Sequence, residues 1–429
     1  MSDVNLNIVT EKQNILNKIG IPSKLIWGYI GIIIFMIGDG LEQGWISPYV
    51  IEKGLSIESA SMMISVYGIG TAISAWLSGV FVQILGPKRT MLIGFCLFVI
   101  GSILFIGLGV IPLNYPLMLT FYIIRGFGYP LFAYGFLVWI TYRSPQAKLA
   151  AAVGWFWFVF SLGMSVIGPF YSSLVIPKIG HINTLWTSLI FVTLGGILAL
   201  VVNRDTLEIK KVSSGNIQAE FLKGITIMFN NPKVTLCGVI KAINGLTLVG
   251  FAVFLPTYLE KYGFSTSEWL KLYGSLFTVA IIFNLIIGAL SDKIGWRTTI
   301  AWIGGVGSAV GTLTVYYTPQ LFGHNYFMML LAMGLCGATV AGYVPLTAVV
   351  TSLAPQDKGA AMSVLNLGGG LGGFIAPAIV GIFIGPLGVG GVMWIFAILF
   401  LVGAFMTKFL TLPVEQEKME EGNKHVIGI

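Results

Sequence analysis

The chain has 429 residues, of which 56% are hydrophobic and only 10% charged. A soluble domain carries about a quarter charged residues, so composition alone excludes the soluble globular class. The net charge of +7 does not indicate nucleic acid, because basic cytoplasmic loops of a membrane protein account for such an excess.

The first 26 residues are polar and of mixed charge. They lack the basic, then apolar, then small-residue order of a cleaved signal, so the first helix is expected to stay in the protein. Twelve apolar runs follow, each long enough to cross a ~30 Å hydrocarbon core. They are predicted near 27–50, 61–84, 91–111, 116–140, 150–174, 184–203, 233–258, 270–291, 299–317, 326–352, 360–383 and 389–411. Turn signals separate them at Gly86-Pro87, Ile111-Pro112, Ser144-Pro145, Asn231-Pro232, Thr318-Pro319 and Gly385-Pro386.

Span 1 carries Asp39 and Glu42, the only two of 17 acids that fall inside an apolar run. A carboxylate in lipid is expensive and tends to be functional. Residues three or four apart share a helix face, so Asp39, Glu42 and Gln43 form a polar stripe that must face a cavity or another helix. That stripe serves either transport or a structural ion pair. In span 2, Tyr67, Thr71, Ser74 and Ser78 line one face. In span 4, Tyr122, Arg125 and Tyr129 share a face. At ~1.5 Å per residue, Arg125 comes to the depth of Glu42 and within a turn of Asp39, which leaves both pairings open.

Trp155 and Trp157 in span 5 are candidate walls for the carbon side of a solute, and Gly168-Pro169 marks a kink there. Residues 204–232 are the longest internal polar stretch, with Ser213-Ser214-Gly215 inside it, and read as a linker that splits the spans six and six. In span 7, Lys241 and Asn244 share a face. Either they offer an ammonium and an amide to a substrate, or Lys241 snorkels to the interface. Asn284 in span 8, Thr339, Tyr343 and Thr347 in span 10, and Asn366 in span 11 complete the inward polar groups. For the hydroxyls the alternative use is interhelical hydrogen bonding.

Gly368, Gly370 and Gly373 match G-x-G-x-x-G. No strand precedes them, so they mark close packing or bending rather than a dinucleotide loop, as does Ala376-Pro377. Cys96, Cys237 and Cys336 form no CxxC or zinc spacing, and the three histidines fall in loops or the tail. No metal, no cofactor, no nucleic-acid partner and no enzymatic nucleophile–base pair are therefore expected.

Lysines and arginines orient the stack. With both termini cytoplasmic, 18 of the 24 fall on the inner side and four on the outer, and Arg125 and Lys241 lie within spans. That bias obeys the positive-inside rule. The expected organisation is a cytoplasmic tail 1–26, a six-helix bundle 27–203, a linker 204–232, a second bundle 233–411 and a tail 412–429, in a multi-pass, monomeric protein of the cell membrane.

The halves echo each other. Gly79, Gly86 and Arg89 stand between spans 2 and 3, and Gly288, Asp292, Lys293, Gly295 and Arg297 between spans 8 and 9, at an offset of 209 residues (288 − 79). The second copy resembles the loop signature of the major facilitator superfamily, Gly-x-x-x-Asp-(Arg/Lys)-x-Gly-x-(Arg/Lys). In the first copy Gln83 replaces the acid and Ile84 the following base. The stretches 35–42, 122–131, 154–157, 263–270 and 358–364 are similar to the polyol permease family. That resemblance implies an all-α major facilitator fold of two pseudo-symmetric bundles and import of a sugar alcohol, of the ribitol or D-arabinitol type, coupled to protons.

Some relatives carry a 2-oxoglutarate permease label, which makes an organic acid the alternative substrate. In sugar porters of the superfamily an acid in span 1 and an arginine in span 4 form a proton-responsive pair, and Asp39 and Arg125 match those positions. The four charges within spans sum to zero, which fits a neutral solute carried with one proton. Lipid, protons and a small solute are the expected partners.

Overall fold

Apolar runs of this length become helices because hydrocarbon offers backbone N–H and C=O groups no partner outside their own segment. The computed structural model describes residues 20–145, 149–205, 225–355 and 357–411. Among the described residues there is no strand, and ten apolar helical segments are long enough to cross a membrane. Two of these, Ala151–Val202 and Ala360–Phe409, are each long enough for two crossings. Gly180 (φ 80°) and Gly388 (φ 66°) break them into spans 5 and 6 and spans 11 and 12. A left-handed φ at these two sites favours glycine and reverses the chain with no loop between the helices. The result is the twelve-span architecture expected from sequence.

The repeat extends to helix ends. Ser56 caps span 2 (Ile57–Leu85) and Ser265 caps span 8 (Thr266–Ile294), again 209 residues apart (265 − 56). Gly86 (φ 83°) and Gly295 (φ 95°) turn the chain after those helices at the same offset. Asn114 and Asn325 start spans 4 and 10 alike, each side-chain oxygen accepting from the backbone N–H three residues on.

Two sequence expectations need correction. Span 1 is not one rod: helix Ile26–Gly40 stops, a turn covers 41–45, and helix Ile46–Glu52 resumes. Glycines at 40 and 44, the latter at φ 89°, weaken the helix where it must turn. Thr318-Pro319 and Gly385-Pro386 are not turns either, Pro386 lying within a helix that breaks only at Gly388. Pro319 lies within helix Ser308–Phe322, and the chain reverses after it at Gly323 (φ 60°). Within the expected linker, residues 225–230 are helical. Ser213-Ser214-Gly215, residues 1–19 of the expected tail 1–26 and the tail 412–429 lie outside the described residues, while Ser23–Leu25 forms a helical turn leading into span 1.

Span 1 packs on spans 5 and 6, span 4 on spans 2 and 3, span 7 on span 11, and span 10 on spans 8 and 9. The halves meet along two seams, span 2 against span 11 and the end of span 5 against span 8. Contact concentrates at one end, the end of the 56 and 265 caps. There Trp269 Nε1 donates to the Gly44 carbonyl (2.6 Å), Ser47 Oγ to the Val253 carbonyl (2.8 Å) and Ser267 Oγ to the Ser173 carbonyl (2.9 Å). Toward the opposite end, which carries Gly86 and Gly295, a Cβ built on Gly79 or Gly154 meets nothing within 4 Å. Leu285 and Ile286 of span 8 are exposed there. The hydrogen bonds between the halves shut the end of the 56 and 265 caps.

Candidate functional site

The break in span 1 builds the site. Asp39 sits in the last turn of Ile26–Gly40 and Glu42 in the turn that follows. Span 5 has a π-helical stretch, Leu162–Ile167, whose Met164 carbonyl lies so close that a Cβ at Gly40 would collide with it. Such π stretches recur at functional sites. Both acids are buried, at 2% and 3% exposure, and so is Arg125 at 1%.

Arg125 Nη1 bonds directly to Glu42 Oε2, and its Nη2 lies 3.6 Å from Asp39 Oδ1. Each acid has its own tyrosine. Tyr67 OH donates to Asp39 Oδ1 and Tyr122 OH to Glu42 Oε1, both at 2.6 Å. The two phenol rings stack at 4.4 Å, and Phe105 stacks on the far side of Tyr122 at 4.4 Å. Phe98 lies under the guanidinium, 4.6 Å from Arg125 Cζ, a cation–π contact in a dry site. Asp39 Oδ2 and Arg125 Nε and Nη2 are buried with no hydrogen-bond partner. Buried polar atoms are normally satisfied, so a site left short of partners has capacity for a proton or a solute group.

Tyr67 is the residue that the selection of site residues from sequence missed. Its signal was present in the span 2 stripe, but nothing in a periodicity says which hydroxyl meets an acid. Tyr129 stands one step away, its ring 6.3 Å from that of Tyr67 and 6.1 Å from Phe160. Gln43 is half-buried within the break. Trp155 is half-buried, edge-on to Phe158 at 5.6 Å.

In the second half, Lys241 Nζ donates to Asn244 Oδ1 at 3.1 Å, and the Asn244 amide reaches the Val340 carbonyl at 3.4 Å. Among the described residues no carboxylate pairs with Lys241. A Cβ on Gly369 would lie 3.8 Å from Lys241 Cε, so Lys241 packs along span 11. Asn366 shares that Gly369 face and is exposed, as is Asn284 on span 8.

Tyr343, expected beside a substrate, is buried with its ring 6.3 Å from Phe400 of span 12 and close against Gly304 of span 9, and its hydroxyl has no hydrogen-bond partner among the described residues. Helical period gave its face but not its neighbours.

Among the loop-motif residues, Arg297 donates to the Thr407 and Lys408 carbonyls (3.2 and 3.0 Å), which ties the start of span 9 to the end of span 12. Arg89 and Lys293 are exposed, Gly288 has only Val344 near it, and the side chains of Gln83 and Asp292 lie outside the described residues. In the first half Asp205, after span 6, binds Arg143 (2.6 and 2.9 Å) and Trp139 (2.9 Å) of span 4.

A twelve-span, two-half bundle with buried charges on discontinuous helices defines a membrane transporter, not an enzyme. The Major Facilitator Superfamily model matches residues 28–317 and 272–426, and the chain belongs to that family. It is 55% identical over 407 residues to an α-ketoglutarate permease of Bacillus subtilis (strain 168), covering 95% of this chain and 94% of that one. It is 40% identical to a D-arabinitol transporter of Klebsiella pneumoniae (93% and 95% covered). A ribitol transporter of the same organism is also 40% identical (90% and 92% covered). Solved structures of a D-xylose–proton symporter (TM-score 0.70, 17% identity, 89% and 96% covered) and a nucleoside transporter (TM-score 0.72, 16% identity, 90% and 99% covered) share its fold.

Proposed function

We propose that the chain is a proton-coupled permease for a small organic acid of the α-ketoglutarate class. The observation that carries this reading is the uneven pairing of the four intramembrane charges. Arg125 faces two acids, whereas Lys241 faces none among the described residues. The zero sum that fitted a neutral solute therefore divides into one excess negative charge in the first half and one excess positive charge in the second. Lys241 is half-buried, and a cation partly withdrawn from water without a counter-ion is unfavourable. A substrate carboxylate beside Lys241 offsets that cost with a charge-assisted hydrogen bond. The 55% identity to an α-ketoglutarate permease supports the same reading.

In this reading Asp39 takes the coupling proton. Glu42 already neutralises Arg125, while Asp39 keeps a buried oxygen without a partner. Asn244, Asn284 and Asn366 supply neutral donors and acceptors, and Trp155, Gln43, Tyr122 and Tyr129 line the approach. By the positive-inside bias both termini are cytoplasmic and the end shut by the inter-half bonds lies outside, which makes this an inward-facing conformation in this reading. The two bundles, 27–203 and 233–411, rock about the buried charges.

A second reading, a sugar alcohol such as ribitol or D-arabinitol, draws support from the two 40%-identical transporters. Proteoliposomes loaded with labelled α-ketoglutarate separate them by counterflow. Exchange against external α-ketoglutarate and not against ribitol or D-arabinitol is expected, and no exchange here, with counterflow of labelled ribitol or D-arabinitol in matched vesicles, replaces the acid with a polyol.

A further inference from the structure

The break in span 1 exposes carbonyls that a continuous helix would have used itself, and their new partners come from different places. The Leu41 carbonyl accepts from Trp45 Nε1 (2.6 Å) and Ser172 Oγ (2.5 Å), both in the first half. The Gly44 carbonyl accepts from Trp269 Nε1 at 2.6 Å, across the shut end, from span 8 of the second half. Trp269 is buried and its ring lies 5.2 Å from that of Tyr273, so the indole has little freedom to follow Gly44 if the halves part. A Cβ at Gly44 would lie 3.2 Å from both Trp269 Nε1 and Leu270 Cδ2. Two residues before Gly44 stands Glu42, bonded to Arg125 and Tyr122.

We infer that Trp269 is a positioning residue for the Glu42–Arg125 pair: its bond to Gly44 holds the 41–45 turn while the outer end is shut, and its loss on opening frees that turn to rearrange. A buried carbonyl deprived of its donor must find another, and the nearest route is to refold the turn that carries Glu42. Access at the outer end and the ion pair are thereby linked through three residues of backbone. Among the further bonds between the halves, Ser47 Oγ to the Val253 carbonyl holds the helix after the break and Ser65 Oγ reaches the Phe374 carbonyl, whereas Ser267 Oγ to the Ser173 carbonyl lies at the same end and does not involve residues 41–45. The Ser267 bond serves as the internal control.

The inference rests on the reading of Asp39, Glu42 and Arg125 as the coupling group. The test uses full-length protein in proteoliposomes with Cys96, Cys237 and Cys336 removed and Ser173→Cys added. Ser173 is buried at the shut end. Labelling by a membrane-impermeant maleimide then reports opening, and proton uptake per α-ketoglutarate or ribitol reports coupling. Trp269→Phe keeps a ring and deletes the donor. A benzothiophene analogue of tryptophan at 269 deletes the donor with the shape unchanged, should the Phe variant fold poorly.

Labelling at least threefold faster, with a proton-to-solute ratio at least halved, is expected of either replacement. Ser267→Ala should speed labelling and leave the ratio intact. Wild-type labelling in both Trp269 replacements overturns the inference, and so does an equal fall in ratio in Ser267→Ala. If the wild type moves no protons with either solute, the coupling reading fails by itself. The labelling arm then decides the role of Trp269 alone.

Discussion

Arg125 stops 3.6 Å short of Asp39 while bonding Glu42 directly, and two stacked tyrosines set that difference. Tyr67 draws Asp39 Oδ1 toward span 2, and Tyr122 holds Glu42 beside the arginine on its own helix. The rings stack 4.4 Å apart, yet each hydroxyl donates to a different carboxylate. The acids are three residues apart in sequence yet chemically unlike. Glu42 has both oxygens bonded, and Asp39 has one oxygen bare.

Asp39→Asn is therefore expected to abolish uphill accumulation driven by a pH gradient and to spare counterflow, which needs no net proton movement. The amide keeps an oxygen for Tyr67 and cannot titrate. Proton-driven accumulation at wild-type level, in a variant inserted at wild-type amounts, removes Asp39 from the coupling role.

Glu42→Gln should fail differently. It removes the directly bonded carboxylate from a buried guanidinium and leaves only Asp39, 3.6 Å away, as counter-charge, and breaking a buried pair from one side costs up to about 3–5 kcal/mol. Poor insertion or a markedly lower thermal midpoint in detergent is expected, against a smaller loss for Asp39→Asn. Equal stability of the two variants contradicts the unequal pairing.

Arg125→Lys separates shape from charge. The guanidinium reaches both carboxylates from two nitrogens and lies over Phe98, whereas an ammonium is a compact point charge. Transport should fall by tenfold or more with either solute. Near-normal uptake by the lysine variant reduces Arg125 to a simple counter-charge.

Which parts of this were readable beforehand follows from what lipid penalises. Asp39, Glu42, Arg125 and Lys241 stood out because an ionised group in an apolar run has few structural excuses. Their partners did not, since the 41–45 break turns Glu42 off the regular helix face and toward Arg125. A helical wheel drawn through Trp27–Val50 has no place for that turn. Tyr67 was visible as one hydroxyl among four in its stripe, and only the packing of spans 1, 2 and 4 chose it. For Tyr343 the period gave a face, while its ring neighbours on spans 9 and 12 came only from the packing. The repeat was legible in one loop, while the matching caps at Ser56 and Ser265 carry a backbone symmetry that the degraded first motif had blurred.

Lys241→Gln decides the substrate class. The lysine donates to Asn244 and faces no acid among the described residues, so its remaining ammonium protons are available to a solute. If the solute is a keto acid, the variant exchanges a charge-assisted hydrogen bond for a neutral one. That loss is about 1.5–3 kcal/mol, or roughly one to two powers of ten in apparent KM. If the solute is a polyol, glutamine still donates a hydrogen bond and the change should be small. Lys241 must also reach the cavity rather than an interface. Protection of Lys241→Cys from an impermeant thiol reagent by α-ketoglutarate, in a background free of the three native cysteines, reads that access directly. The expected outcome is protection together with a KM for α-ketoglutarate raised at least tenfold. A near-normal KM for α-ketoglutarate, or robust ribitol transport indifferent to the substitution, transfers the site to sugar alcohols and leaves the paired acids of span 1 with the same coupling task.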